Sequence, residues 1–406
     1  MNEGAIALGL CGGDAVYRAN SLVQGCKEGD IGLVRLLLRL GAAVDQANDQ
    51  GFAPLHLACG DGHVECARLL CDAGAAVDQV HLTTATTPPG IRGGTPLLTA
   101  CGLGQPECAW LLVAAGADVN AAAENGFTAL IVACQTGDLQ CCQLLCSAGA
   151  AISQACDTGL TPLLMASHHG HSSCVKVLLD ANAAPNQAAN TGDTPLFAAC
   201  YRGRLECARM LLASGASVNQ ATRGGSGGAT PLIAACSQGH AEVVRLLCGA
   251  HAAVDQAMDS GATPLYIACE DGEFECARVL IESGASVSQA TEDGWTPLSL
   301  ACARGHLGCA QLLCAHGDRR DVTPAGTPEE VAAREGHAPL AAWLRVSRGW
   351  TRVQHLEVAP PSLALGPTIM LSPALPRSTI ASPALPLPAG PHCGAGSGAA
   401  ARRRRH

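Results

Sequence analysis

Twenty-three cysteines in a chain of 406 residues are the first candidates for chemistry, because a thiolate can attack an electrophile, be oxidised or ligate a soft metal. Fourteen of them fall into two registers. Cys59, Cys101, Cys134, Cys200, Cys236, Cys269 and Cys302 follow one helical pattern, and Cys66, Cys108, Cys141, Cys174, Cys207, Cys276 and Cys309 begin another. Equivalent positions on stacked helices lie roughly 8–10 Å apart. That exceeds the ~7 Å reach of a disulfide and is too far for a shared metal, so the two columns read as small apolar core residues. An odd cysteine count, with no basic residue ahead of the apolar run Ala5–Cys11, points to a reducing compartment, cytosol or nucleus.

The sharpest metal constellation is His168-His169-Gly170-His171 with Cys174 nearby. Its members span a helix-turn-helix junction, so the alternative to a pure binding protein is a metal- or redox-responsive one. Against it, His171 holds a Gly-His position shared by His63, His240 and His306, and zinc sites pair their ligands at recognisable spacings. Cys141, Cys142 and Cys146 spread round more than one helix face. The sequence contains no phosphate loop ending in Gly-Lys-Ser/Thr, no Gly-x-Ser-x-Gly elbow and no His-Glu-x-x-His, so neither an enzyme nor a bound cofactor is expected.

The elements that would position these residues repeat. Ala53-Pro54, Thr95-Pro96, Thr128-Ala129, Thr161-Pro162, Thr194-Pro195, Thr230-Pro231, Thr263-Pro264, Thr296-Pro297 and Thr327-Pro328 recur mostly at 33 residues, and counting back 33 from Ala53 reaches a worn first copy at Asn20. In the copy from Thr263 to Trp295, Thr263 is a good N-cap and Pro264 suits the first helical turn. Leu265, Ile267, Ala268 and Cys269 supply an apolar stripe, and Gly272 ends the helix. Phe274 to Glu282 makes a second helix with Phe274, Ala277, Leu280 and Ile281 inward, and Gly284 stops it. Ala285 to Trp295 returns as a hairpin-like loop. One such pair cannot bury its apolar faces alone, so the copies must stack.

This period, opened by Thr-Pro-Leu and closed by Leu-Leu-x-x-Gly-Ala, resembles the ankyrin repeat over roughly residues 20–346. The resemblance implies an all-α solenoid of about ten stacked helix-turn-helix units with hairpin-like loops. Of the His that commonly follows Thr-Pro-Leu, only His56 remains; Leu98, Ile131, Leu164, Phe197, Ile233, Tyr266 and Ser299 replace it. It also implies non-catalytic binding of protein partners at the hairpin tips and the exposed end of the first helix. The tips carry Asp49, Gln50, Phe52, Glu124, Asn125, Phe127, Leu160, Asp193, Asp259, Glu292, Asp293 and Trp295. The helix ends carry Asp61, His168, His169, Tyr201, Arg202, Glu270, Asp271 and Arg304. Phe52, Phe127, Tyr201 and Trp295 stand out as anchors in a chain only 3% aromatic. Family members are hydroxylated at an Asn that Asn120 and Asn219 match.

The chain thus divides into a lead (1–19), a solenoid (20–346) and a Pro-rich tail (347–406) expected to be disordered, with two insertions, Val80–Gly94 and Arg223–Gly228, in inter-repeat loops. Gly349-Trp350-Thr351 reads as the start of an uncompleted further copy. The tail holds nine Pro between Pro360 and Pro391, repeats Ser-Pro-Ala-Leu-Pro at 372–376 and 382–386, and closes on Arg402–Arg405. Residues 351–406 carry six Arg and one Glu, which leaves 19 basic and 33 acidic residues in 1–350, a formal charge of −14. Such a body repels phosphate backbones, so no nucleic acid is expected on the solenoid, and its carboxylates suit a partner with a basic patch. No stretch of 18 apolar residues occurs to span a membrane.

Overall fold

Thr-Pro at a helix start satisfies two local demands at once, and the computed structural model, which describes residues 15–48, 51–81, 93–223, 227–318, 320 and 322–350, shows the Thr cap in eight repeats. The hydroxyls of Thr95, Thr128, Thr161, Thr194, Thr230, Thr263, Thr296 and Thr327 each accept from the main-chain N–H three residues on, and seven of the eight are followed by Pro. Repeat two begins with Ala53, which offers no side-chain cap.

Among the described residues the helices come in ten pairs. First helices span Ala15–Glu28, Pro54–Gly60, Pro96–Gly102, Ala129–Thr136, Pro162–His169, Pro195–Tyr201, Pro231–Ser237, Pro264–Asp271, Pro297–Arg304 and Pro328–Arg334. Second helices span Ile31–Arg39, Val64–Asp72, Pro106–Ala114, Leu139–Ser147, Ser172–Asp180, Leu205–Ala213, Ala241–Gly249, Phe274–Glu282, Leu307–Ala315 and Ala338–Val346. First helices pack on first and second on second, generating the solenoid. The two rows are buried differently: all seven residues of Pro195–Tyr201 are buried, whereas Leu205–Ala213 buries only Cys207, Ala208 and Leu211. Leu205–Ala213 is therefore amphipathic, with one side in solvent.

Two sets of hydrogen bonds run between successive repeats. His63, His171, His240, His306 and His337 direct Nε2–H at the main-chain oxygens of Lys27, Gln135, Tyr201, Glu270 and Ala303, at 3.0–3.2 Å. These oxygens lie in the last turn of the preceding repeat's first helix, where no intrahelical donor is available. The ring needs a glycine beneath it: Gly272 has φ 78°, and a Cβ there would fall 2.6 Å from His306. On the hairpin side, Asp45, Asn120, Asn186, Asn219 and Asp255 accept from the main-chain N–H of Ala76, Ala151, Ser217, Ala253 and Ser286 at 2.7–2.9 Å. Asn120 and Asn219 thus have a structural use in the repeat. Each bond is worth about 1 kcal/mol.

Besides the main core, Phe197, Tyr201, Ala229, Ile233, Ala234, Ala262 and Ile267 form a second buried cluster, with Met258 and Tyr266 against it. Phe197, Ile233 and Tyr266 occupy the position after Thr-Pro-Leu, so in repeats six to eight apolar packing stands where the usual His would be.

Three expectations change. The first helix starts at Ala15, with Ala19 buried, because it caps the array and runs 14 residues instead of seven or eight. Phe274 is 36% exposed, since it sits on the solvent side of its helix's first turn. At the other end, packing continues past Val346: Ser347 is buried, Arg320 donates to the oxygens of Leu344 and Ser347, and Trp350 meets Trp343 edge to face at 6.2 Å. Trp350 thus packs back on the tenth repeat. Residues 1–14 and the tail 351–406 lie outside the described residues, as do 82–92 of the first insertion and 224–226 of the second.

Candidate functional site

The thiols meet across the two columns, contrary to the spacing argument. The partners are a first-helix cysteine and a second-helix cysteine of the next repeat. Cys59 is electrostatically coupled to Cys108, Cys101 to Cys141 and Cys269 to Cys309, and within the fourth repeat Cys142 Sγ lies 4.0 Å from Cys134 Sγ. Same-column spacing misses these diagonal contacts. Burial pushes Cys26 and Cys276 up to about 12 and Cys207 to about 11, so these sulfurs remain thiols and behave as core. Three cysteines depart from this: Cys108 is lowered by its interaction with Cys59, and Cys146 and Cys174 by theirs with Cys142.

The histidine cluster serves packing. Arg202 Nε donates to His168 Nε2 at 2.9 Å, His171 is committed to the Gln135 carbonyl, and His169 packs edge to face on His168 at 4.9 Å and parallel to His171 at 5.9 Å. Burial first, then Arg202, lowers His168 to about 3. It is a neutral acceptor for a guanidinium. Among the described residues no group of three or more His, Cys, Asp or Glu side chains is arranged to hold a metal ion, and nothing observed supports the metal alternative.

The predicted contact residues divide by burial. Asp61, Glu124, Arg202, Asp259, Asp271, Glu292 and Asp293 are exposed, while Phe52, Asn125, His169, Trp295 and Arg304 are half-buried. Phe127, Leu160 and His168 are each only 3% exposed, and Tyr201, Asp193 and Glu270 are also buried. Phe127 and Leu160 pack in the main core and Tyr201 stacks on Phe197 at 6.4 Å, so these three present too little surface to anchor a partner. Asp193 accepts from Thr191 Oγ1 at 2.7 Å, and burial raises its pKa; it is a constrained tip residue. Asp49 and Gln50 lie outside the described residues.

Side chains about 34 residues apart along the first-helix ends are coupled. Besides His168–Arg202, Arg304 Nη2 meets Glu270 Oε1 at 2.8 Å. Burial and then the Glu270 charge raise the neighbouring Tyr266 to about 12. At repeat two, Phe52 stacks on His81 at 4.9 Å, while His56 Nε2–H donates to Gly94 O and Gly94 N–H to His81 Nδ1, both at 3.1 Å. The retained His56 thereby clamps the base of the first insertion, and burial lowers it to about 4.

Sequence reasoning missed three surface residues. Leu103 is exposed at the end of the third repeat's first helix, Tyr266 is half-buried, and Trp110 is 60% exposed on a second helix. The first was legible as the equivalent of Asp61. Trp110 was not, because it lies on a second helix, away from the tips and first-helix ends that the family resemblance points to.

Family models described as "Ankyrin repeats (3 copies)" match residues 13–81, 79–156, 149–222 and 220–291, and one described as "Ankyrin repeat" matches 293–323. The crystal structure of the human ASB11 ankyrin repeat domain is similar, with a TM-score of 0.51 and 28% identity over 56% of this chain and 100% of that one. No curated protein matches in sequence. Ankyrin repeats are in general protein–protein interaction modules. With stacked helix pairs, Thr-Pro caps and matches spanning residues 13–323, the chain belongs to the ankyrin-repeat family.

Proposed function

We propose that this protein is a non-catalytic adaptor that holds a basic protein surface on the hairpin tips and first-helix ends of repeats seven to nine. The observation that carries the reading is the grouping there of exposed Asp259, Asp271, Glu292 and Asp293 around half-buried Tyr266 and Trp295. An amphipathic aromatic supplies contact area, and rim carboxylates steer a cationic partner and reject an anionic one. Phe52, Asp61, Glu124, Asn125, His169, Arg202 and Arg304 extend the same face as secondary contacts. Among the described residues no helix is long and apolar enough to cross a membrane, and the many unpaired thiols fit a reducing cytosol or nucleus.

The test is affinity capture with the full chain, beside a variant carrying Trp295→Ala, Asp271→Ala, Glu292→Ala and Asp293→Ala whose helical circular dichroism is unchanged. A protein held by the parent, lost by the variant and released by moderate salt supports the assignment. Equal capture by both chains overturns it.

A further inference from the structure

The outer face holds a groove of about 400 Å³ between the second helices of repeats two, three and four. Trp110, Val64, Pro106, Leu111 and Leu144 give it an apolar lining, and Arg68 and Glu107 add one charge of each sign. No partner-binding expectation involved this face. In a chain with four Trp and four Phe, an indole left 60% exposed beside a proline and three aliphatic side chains is a departure from the buried norm that packing does not account for. Aromatic-lined apolar grooves of this kind receive polyproline-II segments. Such segments have no internal hydrogen bonds to lose and place a proline at every third residue on one edge.

The same chain supplies such a segment. Ser382–Pro388 reads Ser-Pro-Ala-Leu-Pro-Leu-Pro, uncharged and apolar, with Pro383 and Pro386 one polyproline turn apart. Reach decides between the two copies of the motif. From Trp350, at the tenth repeat, to the groove centred on the third is seven repeats, roughly 60–70 Å at helix-stacking distances. The 33 residues from Trp350 to Pro383 span about 100 Å in polyproline form, while the 23 to Pro373 span about 70 Å and would have to be taut. Charge favours the return as well, since residues 351–406 carry six Arg and one Glu against a formal −14 on residues 1–350. We propose that Ser382–Pro388 docks in cis on the Trp110 groove, with Pro383 or Pro386 against the indole.

The experiment uses the full chain with a photoreactive benzoylphenylalanine replacing the exposed Gln140 of the groove lining, and maps the cross-links by mass spectrometry. Cross-links should fall on residues 382–388 within a single chain. Their yield should drop on the order of tenfold in Trp110→Ala, as for removal of an aromatic anchor, and equally in the double variant Pro383→Ala/Pro386→Ala. The double variant leaves the solenoid untouched, so a folding defect in Trp110→Ala would not blur the result. Cross-links between two chains, cross-links scattered over 351–406 whatever the substitution, or none to the tail would each overturn the assignment. Because the groove lies on the outer face, failure here leaves the adaptor reading of the inner face standing.

Discussion

Acidification should destabilise this solenoid through two particular histidines, and the size of the effect follows from their burial. His168 and His56 are 3% and 1% exposed and are lowered from an ordinary 6.5 to about 3 and about 4. A group with a depressed folded-state pKa is protonated first in the unfolded chain, so its stabilisation is complete above pH 6.5 and is lost as pH falls toward the folded value. At pH 5 each has lost 1.5 pH units of linkage, about 2 kcal/mol per histidine and about 4 kcal/mol for the pair. For His168 the structural event is specific: a proton on Nε2 removes the acceptor of the 2.9 Å bond from Arg202 and leaves two cations in contact. His168→Gln keeps an acceptor for Arg202 but cannot titrate. In urea unfolding at pH 7.5 the variant should lie within about 1 kcal/mol of the parent. At pH 5 it should retain about 2 kcal/mol that the parent loses, with every other acid-labile group cancelling in the comparison. If the two chains lose the same stability between these pH values, the burial argument for His168 is wrong.

Two further outcomes follow from the core. Phe197→Ala removes the largest fully buried side chain of the second cluster and should cost about 3–5 kcal/mol. Because repeats couple mainly to their neighbours, hydrogen exchange should accelerate in repeats five to eight and stay unchanged in repeats one to three; uniform acceleration would contradict the solenoid's nearest-neighbour energetics. Among the thiols, half-buried Cys146, lowered by Cys142, should be alkylated by iodoacetamide at neutral pH, whereas buried Cys200, raised by desolvation, should react only in denaturant. Equal rates at the two positions would refute that ordering.

The fold was legible because each repeat carries its own instructions: a Thr cap, a Pro in the first turn and a glycine at the turn between the helices act within a dozen residues and recur in phase. Burial at the tips was less so. Phe52, Phe127, Leu160, Asp193, Ala229, Ala262 and Trp295 fill one register, yet Phe127 and Leu160 are core while Phe52 and Trp295 are half-open. How far a tip side chain is covered depends on the next hairpin, about 33 residues on, and one repeat's pattern does not contain it. The thiol contacts were hidden similarly, since Cys101 meets Cys141 and Cys269 meets Cys309 by joining two registers that the sequence presents as separate columns.

The same coupling between repeats constrains how the inner face can bind. The helix-end positions open to a partner already pair with one another: Arg304 is held by the buried carboxylate of Glu270, and Arg202 by His168. A partner that displaced Arg304 would have to bring its own cation to Glu270, because a buried carboxylate stripped of its partner is strongly disfavoured. An apolar or acidic partner would gain no such exchange. At repeats five and six the neutral acceptor His168 constrains Arg202 without neutralising it, so that stretch stays cationic. A basic partner therefore gains most from repeats seven to nine, where Asp259, Asp271, Glu292 and Asp293 are exposed, and little from the Arg202 region. Binding energy on this surface should then be concentrated at one end of the array, although all ten repeats share one fold.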